Sequence, residues 1–171
     1  MKMTVADLIE SAISWEIEAQ DLYRECAKSF ADHPSICEFW RLMAVDESSH
    51  VALLRDVRDA MPSDRLARPL TEEELGSIRS IREELAQSRK AEVRTLDDVY
   101  ELAHRFEASE INSVFHMLVL DGLDASKTSA LIEAQFTEHI DRLEGFGQEF
   151  DRSARQAIRP RSVSSHDTHD R

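Results

Sequence analysis

Four stretches of the chain carry apolar residues at alternating steps of four and three, the spacing that lines them up on one buried seam of a helix. The first stretch runs Val5, Ile9, Ala12, then Ala19, Tyr23, Cys26 and Phe30, and the second Ile36, Trp40, Met43, then Leu54, Val57 and Met61. The third runs Leu96, Tyr100, Ala103, then Val114 and Met117, and the fourth Ile132, Phe136, then Leu143, Phe146 and Phe150. Start and stop signals fall between them. Thr4, with Asp7 three residues on, resembles a capping box and opens the first helix; "ADHPSIC" is a turn, and Pro34 suits the first position of a second helix that Pro62 stops. "PSDRLARPLT" reads as a loop. Thr71 before "EEEL" starts a shorter, charged crossover helix to about Lys90, Thr95 opens the third long helix, "DGLDAS" closes it, and the fourth runs from about Ser126 to Phe150. The pattern predicts an all-α protein, an antiparallel four-helix bundle over residues 1–150 with a long crossover that contains an extra helix. The polar tail 151–171 has no periodicity and is expected to be disordered.

Each seam is interrupted near its middle by a group that does not belong in an apolar core. The interruptions are Glu16 on the first helix, Glu47 and His50 on the second, Glu107 and Glu110 on the third, and His139 on the fourth. Antiparallel helices of similar length bring their midpoints to one level, so these six side chains should converge in one layer. No lysine or arginine occupies a seam. Carboxylates left unpaired in an apolar core cost several kcal/mol each, so they must be protonated or share a cation. A bound divalent metal is the simplest remedy. Residues three apart on a helix point the same way, so Glu47 with His50 could hold one ion or bridge two, and Glu107 with Glu110 repeats that spacing opposite. Oxygen ligands mixed with imidazole suit iron or manganese, with zinc as an alternative occupant. Tyr23 stands two turns from Glu16, where its hydroxyl could reach a ligand.

Composition narrows the partners. Only four glycines and four prolines occur among 171 residues, which suits long helices. The formal charge is −13, and the last 21 residues hold five arginines against three aspartates, so the acidity lies upstream of them. A surface of that sign repels phosphate backbones and anionic lipid, which disfavours nucleic acid and membranes as partners, and it attracts cations. Cys26 and Cys37 have no metal-ribbon spacing, the N-terminus lacks the apolar core of a signal peptide, and no run is long enough to span a bilayer. A cytoplasmic protein is the expectation.

At this point the sequence resembles the rubrerythrin family, within the ferritin-like superfamily of diiron-carboxylate bundles, over nearly all of residues 4–150. "WEIEAQDLY" looks like the family's first-helix pattern and implies a ligand role for Glu16 and a supporting role for Tyr23. "DESSH" matches its E-x-x-H, implying Glu47 as bridging carboxylate and His50 as terminal ligand, while "FEASEINSVF" implies ligand roles for Glu107 and Glu110. His139 matches the histidine of the fourth helix. Two departures stand out: Phe136 occupies the place of the second bridging carboxylate in "FTEH", which weakens the second metal position, and two cysteines cannot build the family's four-thiolate rubredoxin-like iron site.

The resemblance implies a non-haem di-metal centre, diiron first, that reduces hydrogen peroxide or oxygen with electrons from an external donor protein. Glu110 would hand a proton to the departing oxygen, and a homodimer is expected. Two other readings stay open: iron oxidation and handling without peroxidase turnover, and a helical interaction module that has lost its metal.

Overall fold

The computed structural model describes residues 2–88, 92–107, 114, 118 and 129–161, the side chains of 84, 88 and 129–138 excepted. Helix α1 spans Val5–Ser29, capped by the Thr4 hydroxyl, which accepts from the Asp7 amide while the Asp7 carboxylate accepts from the Thr4 amide. Helix α2 spans Pro34–Ala60 with the proline at its start, where a missing N–H costs nothing. A single turn, α3 (Ser63–Leu66), interrupts the expected loop. The crossover helix α4 (Glu72–Ser88) and α5 (Leu96–Glu107) begin with the same reciprocal cap, Thr71 with Glu74 and Thr95 with Asp98. Positions 114 and 118 are helical, and α6 spans Ser129–Glu149. Among the described residues there is no strand, only an isolated bridge between Thr4 and Pro69, and no helix is long and apolar enough to cross a membrane.

The core is divided into two apolar clusters. One gathers the start of α1, the end of α2 and the face of α4: Leu8, Ile9, Ala12, Leu54, Val57, Ile78 and Ile81, with Val114 and Leu118. The other gathers the end of α1, the start of α2 and the facing parts of α5 and α6: Tyr23, Phe30, Trp40, Met43, Leu96, Ala103, Leu143 and Phe146. Every described seam position of α1 and α2 is buried. Between the clusters, at the level of Glu16 on α1 and Glu47 on α2, lies a polar layer.

Residues 151–161 depart from the sequence reading, which left everything after 150 without structure. Asp151 caps a further helix, α7 (Arg152–Ala157), and Arg155 inserts beneath it. The Arg155 guanidinium donates to Asp97 Oδ1 (2.9 Å), Gly147 O (3.2 Å) and Phe150 O (2.7 Å), and it lies 3.9 Å over the Tyr100 ring. A buried charge with a counter-ion and carbonyl acceptors is stable where a bare one is not, so this one side chain orders a polar segment. The chain continues as a strap: Leu96 N donates to Ile158 O, and Arg161 N to Ser29 O. Residues 162–171 lie outside the described residues.

Tyr100 sets a steric requirement opposite it. A Cβ at Gly147 would lie 2.4 Å from the Tyr100 hydroxyl oxygen and 2.9 Å from its Cζ. Gly147→Ala is therefore expected to displace the Tyr100 ring and weaken the Arg155 clamp, costing about 1–3 kcal/mol in denaturant unfolding. Gly145→Ala, whose Cβ meets nothing within 4 Å, is the control and should be neutral or slightly stabilising.

Candidate metal centre

The polar layer consists of Glu16 from α1, Glu47 and His50 from α2, Glu107 from α5 and His139 from α6. All are buried: Glu16, Glu47 and His50 are 3% exposed, Glu107 8% and His139 2%. Glu16, Glu47 and His50 sit on the apolar seams of α1 and α2, whose buried residues continue above and below them and hold them there. Sequence spacing placed these five residues together, and the structure brings all five to one level. Glu110, the sixth, lies outside the described residues, as does the side chain of Phe136.

The side chains form two groups that share Glu47. Glu16, Glu47 and His50 each present a donor atom within 4.8 Å of the others, and so do Glu47, Glu107 and His139. His50 Nδ1 lies 3.3 Å from Glu16 Oε2 and 3.0 Å from Glu47 Oε2. His139 Nδ1 lies 3.2 Å from Glu107 Oε2 and 3.9 Å from Glu47 Oε1. The two oxygens of Glu47 thus face opposite groups, which is the disposition a bridging carboxylate needs. The imidazole rings stand 5.0 Å apart between centroids.

Burial and mutual repulsion govern the ionisation of the cluster. Desolvation, then the charges of Glu16 and Glu107, push the Glu47 carboxyl well above its ordinary range. Glu107 goes the other way: burial opposes its charge, but hydrogen bonds from His139 and Tyr23 outweigh it and hold the carboxyl below its usual value. Burial also opposes protonation of His139, yet Asp46 and Glu107 raise its imidazole to about 9. His50, likewise desolvated, is raised by Glu16 first among its neighbours. The layer is thus an anionic cage held together by protons, and a cation could replace those protons.

The donor set fits such a cation. Glu16 Oε1 is buried without a hydrogen-bond partner, an orphaned acceptor of the kind that marks a missing ligand contact. Five donors of mixed carboxylate and imidazole character, with no thiolate in either group, suit iron or manganese. Tyr23, fully buried, donates its hydroxyl proton to Glu107 Oε1 at 2.7 Å, so it reaches a candidate ligand on a different helix from its own. Desolvation first, and Glu107 second, keep that phenol protonated far into alkaline solution. Cys26, also buried, has its thiol pushed up to about 12 by desolvation and belongs to the apolar cluster below the layer.

Sequence reasoning passed over two residues. Asp46 Oδ2 lies 3.1 Å from His139 Nε2 and also accepts from Arg142 Nη1. Asp46 directly precedes Glu47, and Arg142 follows His139 by one helical turn, so both flank the seam at the level of the layer. That adjacency was the available signal, and a search confined to seam positions could not register it.

Among the described residues, α1, α2, α5 and α6 surround a buried carboxylate and histidine layer, the arrangement of a ferritin-like bundle. A model of the rubrerythrin family matches residues 7–121, and the chain belongs to that family. Its fold is similar to the crystal structure of a protein from Thermotoga maritima described as a candidate ferritin-like diiron-carboxylate protein, with a TM-score of 0.59 and 20% identity, covering 89% of this chain and 97% of that one. No curated protein matches the chain.

Proposed function

We propose that the polar layer holds two metal ions, iron in the cell, bridged by Glu47, and that the protein reduces hydrogen peroxide or oxygen with electrons from an external donor protein. The observation that carries this reading is the division of Glu47 between two buried groups, each completed by one further carboxylate and one imidazole. Membership of the rubrerythrin family and likeness to a diiron-carboxylate bundle point the same way. Manganese or zinc would fit the same donors less selectively.

Glu16 and His50 would hold the ion on the α1 side, Glu107 and His139 the ion on the α5 side. Bound iron would supply reducing electrons by passing from the ferrous to the ferric state. The chain's own part is to bind, orient and exclude water. The apolar clusters on either side keep the layer dry, and the anionic groups neutralise the ions. The Tyr23 hydroxyl fixes one oxygen of Glu107, which leaves the other facing His139. Reduction of one peroxide to two waters takes two electrons and two protons, and Glu110 is retained as a proton donor in this reading. Two free, buried cysteines support a reducing compartment, and we take the protein to act as a homodimer in the cytosol.

Rapid mixing of ferrous-loaded protein with peroxide tests the reaction: fast consumption with ferric absorbance is expected, whereas decay no faster than in buffer contradicts reduction and leaves iron handling as the reading. Tyr23→Phe is expected to keep both ions and to slow peroxide consumption about tenfold, because Glu107 loses the group that orients it. Equal rates for the variant and the parent protein would remove Tyr23 from the mechanism.

A further inference from the structure

A groove runs along α1 where it meets α4 and α5, outside the polar layer. Its inner half, a cavity of about 420 Å³, is floored by Leu22 of α1, Leu85 of α4, and Leu102 and Phe106 of α5, and walled by Glu18, Asp21 and Glu25 of α1. The other half, also about 420 Å³, takes in Ser11, Ser14, Trp15 and Arg82 and shares Glu18 and Leu85 with the first. Together they form one trough along α1 from Ser11 to Glu25, about 20 Å long at the helical rise per residue. That length suits part of another protein better than a small molecule. Among the described residues no lysine or arginine lines the inner half. Asp21 and Glu25 each pair with a cation one turn on, Arg24 at 3.2 Å and Lys28 at 2.6 Å. Exposed pairs of this kind contribute less than about 1 kcal/mol, so both carboxylates are ready to exchange that cation for one from a partner.

The floor of the groove adjoins the layer. Leu22 directly precedes Tyr23 and Phe106 directly precedes Glu107, and the Tyr23 hydroxyl donates to Glu107 at 2.7 Å. Phe106 also packs against both apolar clusters, between which the layer lies. Groove and layer are thus neighbouring faces of the same turns of α1 and α5. We propose that the inner half of this groove is the docking site of the external electron donor, and that the donor meets it with an apolar surface ringed by lysines or arginines. The proposal rests on the reading that an external protein reduces the layer, and adds where that protein binds and by what chemistry. The apolar floor rewards burial, while the acidic wall steers a basic partner and fixes its orientation. Encounters for electron transfer are small and transient, below about 1,200 Å² in total, so a groove of this size is enough to seat one. A second copy of the chain, at a net charge of −13, would be repelled from the wall. Residues 162–171 hold one arginine against two aspartates, so they do not match it either.

Titration of the metal-free, full-length protein with cytochrome c, a small basic protein whose apolar haem edge is ringed by lysines, tests the surface without requiring metal. Amide chemical shifts are expected to move at residues 18–25 of α1 and 102–106 of α5, and affinity is expected to fall about tenfold between low salt and about 0.2 M salt. Asp21→Lys with Glu25→Lys should weaken binding about tenfold. Glu38→Lys with Glu144→Lys makes the same change in net charge at exposed positions of α2 and α6, which do not line the groove, and should bind nearly as the parent does. Shifts centred elsewhere, or equal weakening by the two double variants, would mean that only net charge is recognised and would overturn the proposal. Shifts in the groove that follow the protein's own concentration without cytochrome c would assign it to a second copy and also overturn it. The reduction reading has a separate check: iron-loaded protein that docks ferrous cytochrome c and takes no electrons from it refutes that reading, while the shift map still decides the surface.

Discussion

Replacing Glu47 by glutamine is expected to stabilise the metal-free protein and to abolish metal binding at the same time. Glu47 is the carboxylate most penalised by its surroundings, first by desolvation and then by Glu16 and Glu107. A neutral amide of the same shape removes that repulsion. A buried carboxylate with no cation costs several kcal/mol once it ionises, so the metal-free variant should unfold at higher denaturant than the metal-free parent as pH rises through the raised Glu47 value. Both groups of donors contain Glu47, and an amide oxygen is a far poorer bridging ligand than a carboxylate, so both ions should be lost together. Equilibrium unfolding with chelator, alongside elemental analysis after aerobic iron loading, checks the two halves. A variant that keeps two ions would show that Glu47 does not bridge them, and a variant less stable without metal would show that the layer is not under electrostatic strain.

The pH dependence of stability should reverse sign when metal is added. A group whose folded pKa is raised contributes stability that is complete below its unfolded value and is lost as pH rises through the folded value. His139, raised from 6.5 to about 9, therefore weakens the metal-free fold progressively across that interval. Glu47, raised from 4.5, acts in the same direction from a lower starting pH, and His50 adds to it above 6.5. Glu107 and Asp46, both held low, oppose only in acid, where their contribution is lost as pH falls. The metal-free protein should thus be most stable in weakly acidic solution. Metal ions require these ligands deprotonated, so the loaded protein should gain stability over the same rise in pH. At a free metal concentration a thousandfold above the dissociation constant the gain is about 4 kcal/mol per site. A chain of this size shifts in Tm by about 2–4 °C per kcal/mol, so loading should raise Tm by about 10 °C or more in mild alkali. Thermal scans with chelator and with ferrous or cobalt ion, at about pH 6 and about pH 9, measure it. Parallel curves for the two forms would mean that protons and metal do not compete for the same groups.

The fold was legible because the seams are long and regular. Glu16 falls four residues after Ala12 and three before Ala19, and that step alone dictates that it points inward with them. The three threonine caps could be placed because each pairs with an acidic residue three positions on. Tyr23 was legible as buried, but its partner was not: the hydroxyl reaches Glu107 on α5, 84 residues away, and a periodic pattern on one helix carries no information about which neighbour it faces. Arg155 was invisible for a different reason. A single arginine in a polar segment with no apolar period looks solvated, and only the pocket made by Asp97, Gly147, Phe150 and Tyr100 turns it into a buried clamp.

The second metal position shows the same division. The sequence places Phe136 where the family carries a carboxylate, and counting ligands helix by helix therefore predicts a weakened site. In three dimensions Glu107, already a candidate on its own helix, meets Glu47 and His139 in a group that could hold an ion. Asp46 and Arg142 approach His139 from outside the seams, where periodicity is silent.

Anomalous diffraction at the iron edge from crystals of the iron-loaded protein tests the central claim most directly. The account predicts two peaks per chain within the buried layer, one on each side of Glu47, the first beside Glu16 and His50 and the second beside Glu107 and His139. Iron found only at exposed acidic residues, or no peak among these five side chains, would contradict it.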